Sequence, residues 1–464
     1  MNYFYFFFFL LLSILILIKP FTSIIGKWVL NSTSLRKTGS FTFLIGCLCI
    51  YFGVQNEFWY ERVWAITTLT LGIVLAIRGL VVIFFLDSVK KLLSLYMNNY
   101  FKISIPFSIF FIFISFLIVL SDYIGPQKDI SACESDLEIH LVCGFKNPED
   151  IVITPDEEYL LISEMGGVGP YVEIEPGYFA LMNLATNERI VPKISIEKNI
   201  WGDLTCKREN SDNYGPHGID LIKRNDGRYQ LGVISHYPYE TVEMFELLKE
   251  NDAWKFYWRG CVNVPDNLYF NDISLKKDGS FYATHMYERD ITMNKWLITS
   301  LLKSNSGYLV KWENNSFSKV PNSDGSGPNG IVLEEDKNII YISYNQGDNL
   351  TAFDLSSSTK IGSAFIQSPD NPFIKNESIW ITALNFQPND AGDCVDRVAC
   401  SLPFSIHELN KESLESNNIY SYSKTVFGLP TVAVPINENI YIGSFHSDRL
   451  GTVSYTHLTL PTKA

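Results

Sequence analysis

The sequence predicts an all-β six-bladed β-propeller preceded by an α-helical transmembrane region of about four helices. Three observations lead there. The apolar surplus behind the 47% hydrophobic content is concentrated before residue 122, where Phe, Leu and Ile dominate. The rest of the 464-residue chain has ordinary globular composition. Within that remainder a unit of strand, polar turn and strand returns six times without a helical period between copies, and six all-β units of roughly 50 residues are the mark of a propeller.

Four apolar stretches are the expected spans: Tyr3–Ile18, Phe41–Tyr60, Trp64–Leu86 and Ile103–Leu120, the second interrupted by Gln55, Asn56 and Glu57. Lys19, Lys27, Arg36 and Lys37 follow the first, and Lys90, Lys91 and Lys102 follow the third. The connection between the second and third has only Arg62 against Glu57 and Glu61. Positive connections stay in the cytoplasm, so both ends are expected outside. The other reading of the first stretch is a cleaved leader, but nothing basic precedes it.

An extracytoplasmic domain agrees with two further features. Six cysteines follow the membrane region (Cys133, Cys143, Cys206, Cys261, Cys394 and Cys400), an even number. Glycosylation sequons begin at Asn314, Asn349 and Asn376. The composition changes between Asp122 and Gln127, so the expected domains are residues 1–125 and 126–453, followed by a tail at 454–464. A net charge of −13 excludes a phosphate-binding face and with it a nucleic-acid partner, while favouring divalent cations.

The repeat reads in order as follows. Glu149–Ile153 runs through the Pro155-Asp156-Glu157 turn into Tyr159–Ser163. The unit recurs at His217–His236 across Asn225-Asp226-Gly227, at Asn271–His285 across Lys277-Asp278-Gly279, and at Asn329–Tyr344 across Glu335-Asp336. A less regular copy starts at Asp370-Asn371 and passes through Ser378–Thr382, and a sixth runs from Thr431 across Asn437-Glu438-Asn439 to His446.

In a propeller the first strand of each blade lines the central channel, so the residues that open the units meet at one mouth. Glu149, Asn271, Asn329, Asp370 and Asn371 bring carboxylate and amide oxygens there, a hard set that suits Ca²⁺ better than Zn²⁺. His217 opens the remaining copy. Asp150 and Asp272 follow two of the openers, and because successive strand side chains face opposite ways they point to a second, deeper cation. The bland alternative is that these Asn and Asp residues only cap strand ends. A zinc site of His217, His236, His285 and His446 is a further alternative, without a cysteine at a recognised spacing.

Together Glu149-Asp150, Pro216-His217-Gly218-Ile219, Ser235-His236-Tyr237-Pro238 with Val242-Glu243-Met244-Phe245, Asn271-Asp272-Ile273, Asn329-Gly330-Ile331 and Asp370-Asn371 resemble the paraoxonase/arylesterase group of calcium-dependent lactonases, within the gluconolactonase-like propellers. The resemblance covers about residues 130–453. It implies that Glu149, Asn271, Asn329, Asp370 and Asn371 hold a catalytic Ca²⁺. It also implies that Asp150, Asp272 and the carbonyl of Ile219 hold a structural one. His217 and His236 become the pair beside the reacting carbonyl of a small lactone or aryl ester, which the exposed ion polarises while His217 takes a proton from water.

Two features depart from that group. Its members carry one N-terminal anchor helix, against about four spans here. They also tie first and last strands by a disulfide, for which Cys133 and Cys143 are the early candidates, yet no cysteine follows Cys400 in the last copy. Val453–Ala464 breaks the repeat and looks like a translated adaptor sequence, so the closing strand is expected to be weakened. Gly166-Gly167-Val168-Gly169 lacks the Lys-Ser/Thr of a phosphate loop, and there is no Gly-x-Ser-x-Gly elbow. The readings that compete with a hydrolase are a calcium-stabilised membrane-tethered scaffold and an amine–aldehyde condensing enzyme like strictosidine synthase. The substrate and oligomeric state are not legible.

Overall fold

The computed structural model describes residues 2–30, 32–55, 59–61, 63–119, 126–170, 172–208, 213–385, 394 and 396–454. The chain divides into two compact units, Met1–Ile124 and Gly125–Ala464. Asn56, Glu57, Arg62, Leu120, the change of composition at 122–125 and the tail beyond Ser454 lie outside the described residues.

The first unit is helical: α1 (Asn2–Leu15), α2 (Lys19–Leu30), α3 (Ser32–Val54), α4 (Val63–Phe84), α5 (Leu86–Asn98) and α6 (Tyr100–Val119). Three stretches are long and apolar enough to cross a membrane, Leu35–Val54, Val63–Phe84 and Tyr100–Val119, and α1 is a shorter apolar helix beside them. The second span begins earlier than expected. Nothing between Ser32 and Thr38 stops a helix, so Arg36 and Lys37 continue α3 rather than forming a connection. α3 and α4 pack backbone to backbone: a Cβ on Gly46 would lie 2.5 Å from the Ala76 nitrogen, and one on Gly79 would lie 2.6 Å from that of Phe43. α1 lies on α6 with the Phe9 and Phe111 rings stacked at 5.9 Å. The segment carrying Lys90 and Lys91 is the helix α5, amphipathic through Leu86, Val89, Leu93 and Tyr96.

The second unit is a ring of six sheets, antiparallel except where Ile194–Ile196 adds to the second in parallel beside Phe256–Trp258. Their innermost strands are Pro148–Ile153, Pro216–Lys223, Phe270–Leu275, Pro328–Glu334, Phe373–Lys375 and Pro430–Ile436. Each blade seals against the next by its own apolar cluster. Leu161, Phe179, Leu231, Phe245 and Phe256 join the first blade to the second, and Ile151, Leu160, Ile162, Val432, Val434 and Tyr441 join the sixth to the first. Consecutive apolar residues feed both faces of a sheet into such clusters: Leu161 enters the one shared with the second blade, Leu160 and Ile162 the one shared with the sixth.

Ring closure differs from the expectation. His140–Cys143 forms the outermost strand of the sixth blade, paired antiparallel from His140 opposite Thr452 to Cys143 opposite Arg449. Val453 and Ser454 complete the last strand opposite Ile440 and Asn439. Cys133 bonds Cys143, which itself lies in the strand that completes the last blade; Cys206 bonds Cys261 and Cys394 bonds Cys400. A helix, α7 (Met293–Leu302), interrupts the third blade where no helical period was expected. Its start was nonetheless legible: the Thr292 side chain caps it by accepting from Lys295 N at 3.3 Å.

Candidate active site

Five innermost strands are bulged at the same place. Strand register shifts between Pro148 and Asp150, Pro216 and Ile219, Phe270 and Ile273, Pro328 and Ile331, and Pro430 and Ala433. Glu149, His217, Asn271, Asn329 and Thr431 sit inside these bulges. A bulge re-aims side chains and breaks strict alternation. Glu149 and Asp150 are both buried, with separate partners.

Glu149, His217 and Asn371 come together. Asn371 Nδ2 donates to Glu149 Oε1 at 3.1 Å, and His217 Nε2 stands 3.6 Å from that same oxygen. Glu149, Asn271, Asn329, Asp370 and Asn371 are all buried. Each keeps one buried oxygen without a hydrogen-bond partner: Glu149 Oε2, Asn271 Oδ1, Asn329 Oδ1, Asp370 Oδ1 and Asn371 Oδ1. An unsatisfied buried polar atom costs about 1–3 kcal/mol. Left so, the five would offset a sizeable part of the roughly 5–15 kcal/mol by which a whole domain is stable, and oxygens of this type are the donors that a hard cation takes. Burial, and then Asp150, Asp370 and Asp272, hold the Glu149 carboxyl well above its ordinary range. Burial and then Asp150 do the same to Asp370.

Asp150 and Asp272 are placed differently. Asp150 Oδ1 accepts from Ile151 N and Oδ2 from Ile219 N, both at 2.8 Å; Asp272 Oδ1 accepts from Ile273 N and Oδ2 from Ile331 N, both at 2.7 Å. Each carboxylate thus clasps the next blade's backbone. Burial raises Asp150 to about 7 against those N–H groups, and burial and then Asp150 raise Asp272. Two glycines admit this crowding. A Cβ on Gly218 would lie 2.3 Å from Asp272 Oδ1, and one on Gly330 would lie 2.6 Å from Asn371 Oδ1. Among the described residues no group of three or more His, Cys, Asp or Glu side chains is arranged for a metal, since three of the five openers that converge are amides.

The histidines separate into a pair and two outsiders. His217 Nδ1 and His236 Nε2 are 2.9 Å apart, and His236 Nδ1 is 2.8 Å from Glu240 Oε2. The Tyr269 ring stacks on His236 at 4.6 Å and an interplanar angle of 11°. Burial, then the neighbouring His236, push the His217 imidazole well below its ordinary value. His285 Nδ1 instead accepts from Tyr269 N at 3.1 Å, and His446 Nε2 lies 2.9 Å from the Cys394 carbonyl. The four-histidine zinc alternative is therefore not assembled. A cavity of about 650 Å³ lined by His140, Tyr420 and Tyr441 lies on the outer strands and contains none of these residues.

Sequence reasoning missed Glu240 and a girdle of hydroxyls. Thr284 Oγ1 donates to the Asn329 carbonyl at 2.5 Å, Ser343 Oγ to that of Asp370 at 2.6 Å and Thr382 Oγ1 to that of Thr431 at 2.9 Å, while Thr431 Oγ1 bonds the Glu149 carbonyl. The signal was present in part: Thr284, Ser343 and Thr382 stand near the ends of largely apolar second strands.

The family model described as Arylesterase matches residues 129–450. Comparison with curated proteins gives no match. Among solved structures, a luciferin-regenerating enzyme is 11% identical with a TM-score of 0.43, covering 68% of this chain and 94% of that one. A calcium-binding regucalcin from Agrobacterium tumefaciens is 9% identical with a TM-score of 0.38, covering 67% and 91%. A protein described as a gluconolactonase is 12% identical with a TM-score of 0.36, covering 68% and 92%. With the family match spanning more than two thirds of the sequence, the chain belongs to the arylesterase family.

Proposed function

We propose that the chain is a calcium-dependent hydrolase of lactones or aryl esters that works outside the cytoplasm on a membrane-tethered propeller. The observation that carries the reading is the set of five orphaned oxygens beside the buried histidine pair. Glu149, Asn271, Asn329, Asp370 and Asn371 would hold the catalytic ion, and Asp150, Asp272 and the Ile219 carbonyl a structural one. When bound, Ca²⁺ supplies a Lewis acid for the substrate carbonyl and its oxyanion.

The protein's own groups do the rest. His217, kept neutral by burial, accepts a proton from water at Nε2 and so makes the attacking oxygen more nucleophilic. His236 holds the other nitrogen of that ring, and the Tyr269 face keeps His236 from turning. The apolar blade interfaces keep the ring rigid beneath the site. Three disulfides agree with an oxidising compartment for this domain. The apolar helices of the first unit agree with insertion in a membrane, and we place both ends of that region on the propeller's side.

The test uses the full chain in nanodiscs with phenyl esters and lactones, in calcium and after chelation. Turnover should vanish on chelation and in Asp370→Ala, and His217→Gln should lower kcat by about 10²–10⁴-fold, the range for a general base. A wild type that gains thermal stability from calcium yet hydrolyses none of the panel would point to a binding propeller instead.

A further inference from the structure

We propose that Glu240 is a positioning residue that fixes the tautomer of the histidine pair and so leaves His217 with a bare nitrogen at the channel mouth. The inference rests on the reading of His217 as the proton acceptor. Glu240 lies on the turn between the strands Tyr229–Ser235 and Thr241–Glu250, four residues after His236, and its side chain is only 7% exposed. Its Oε2 is 2.8 Å from His236 Nδ1.

A carboxylate can only accept, so His236 Nδ1 must carry the proton of that bond. A neutral imidazole has one N–H, which leaves His236 Nε2 as an acceptor. That nitrogen faces His217 Nδ1 at 2.9 Å, so His217 donates from Nδ1 and its Nε2 holds a free lone pair. Nε2 is the nitrogen 3.6 Å from Glu149 Oε1, on the side where the orphaned oxygens gather. Reversing the tautomers would put a proton on the nitrogen that must accept one. The Tyr269 ring stacked on His236 opposes the flip that would exchange its two nitrogens.

The same chain of bonds balances the proton. As the water oxygen bonds the carbonyl carbon, its proton goes to His217 Nε2, and the His217 Nδ1 proton passes to His236 Nε2. The imidazolium then rests on His236, still donating Nδ1–H to the Glu240 carboxylate, one ring removed from a bound cation. The reverse passage returns the proton to the alkoxide that leaves when the adduct collapses. This glutamate thus stabilises the charged ring as well as setting the neutral one.

The experiment uses the full chain in nanodiscs with ¹⁵N-labelled histidine, and His236→Gln to identify the ring signals. Wild type should show His236 protonated at Nδ1 and bare at Nε2, and Glu240→Ala should move the proton onto Nε2. With phenyl acetate and a six-membered lactone, kcat should fall about tenfold to a hundredfold, the loss typical when a group orienting a functional histidine is removed, with KM changed less than twofold. Glu240→Asp should recover most of kcat, and Glu240→Gln, which can accept but carries no charge, should keep the tautomer with a reduced kcat. An unaltered His236 tautomer in Glu240→Ala, or a shifted tautomer with unaltered kcat, overturns the proposal. If wild type turns over neither substrate, the hydrolase reading fails, and the tautomer spectra still decide the role of Glu240.

Discussion

Gly330 shows how much of the site is set by a missing side chain. A methyl there would lie 2.4 Å from the Asn371 Cα and 2.6 Å from its amide oxygen, distances that force Asn371 to move. With Asn371 among the proposed calcium ligands, Gly330→Ala should lack most of the calcium-induced rise in melting temperature expected of wild type, because such a rise measures binding to the folded state. A variant whose melting point still climbs with calcium as in wild type would remove Asn371 from the ligand set. Gly218 plays the same part toward Asp272, so the small residue after His217 and after Asn329 is a clearance and not a hinge.

At the scale of the elements, the hydroxyls of Thr284, Ser343 and Thr382 tie the third, fourth and fifth blades each to the next. Ser343→Ala leaves the buried Asp370 carbonyl without its 2.6 Å donor, and should cost about 1–3 kcal/mol in urea denaturation. A cost near zero would mean that water replaces the hydroxyl.

A second tie crosses the outer edge of the first two blades. Asp156, on the turn of the first, accepts from Lys249 Nζ at 2.6 Å and from Trp254 Nε1 at 3.0 Å on the second. Burial opposes ionisation, but Lys249, the Thr154 hydroxyl, the Glu158 N–H and Trp254 outweigh it and bring the carboxyl to about 2. The folded value is below the unfolded one of about 3.9, so this stabilisation is present above that pH and fades as pH falls toward 2. Asp156→Asn should then be less stable than wild type at pH 7 and indistinguishable from it near pH 2. A difference that persists unchanged at low pH would show that charge is not what the clamp uses.

For the whole molecule, ring closure and compartment are the open physical questions. The strand His140–Cys143 closes the ring by hydrogen bonds to Arg449–Thr452, and the buried Arg449 reaches the Ala132 carbonyl at 3.2 Å to hold the segment that precedes it. Compartment can be read from glycans. Asn314 and Asn376 stand exposed in turns, whereas Asn349 begins a strand and its amide nitrogen donates to the Gly347 carbonyl at 3.2 Å. In a secretory host Asn314 and Asn376 should be glycosylated and Asn349 spared, which Asn314→Gln and Asn376→Gln report as separate gel shifts under endoglycosidase. A chain without glycans on either would place the propeller in the cytoplasm.

The sequence by itself determined the repeat, the apolar helical region and the openers Glu149, His217, Asn271, Asn329, Asp370 and Asn371, because periodicity and turn chemistry are local properties of the chain. The same local logic failed at the connections that proved to be α2 and α5. The bond between Cys133 and Cys143 was not legible either, since it depends on how the segment before the strand His140–Cys143 folds against it. Only the tertiary structure decided that His140–Cys143 completes the last blade from some 300 residues away. Only it could place Glu240 against His236, since a turn's shape sets that distance. The orphaned oxygens, too, are a property of burial, which arises when six blades close on one axis.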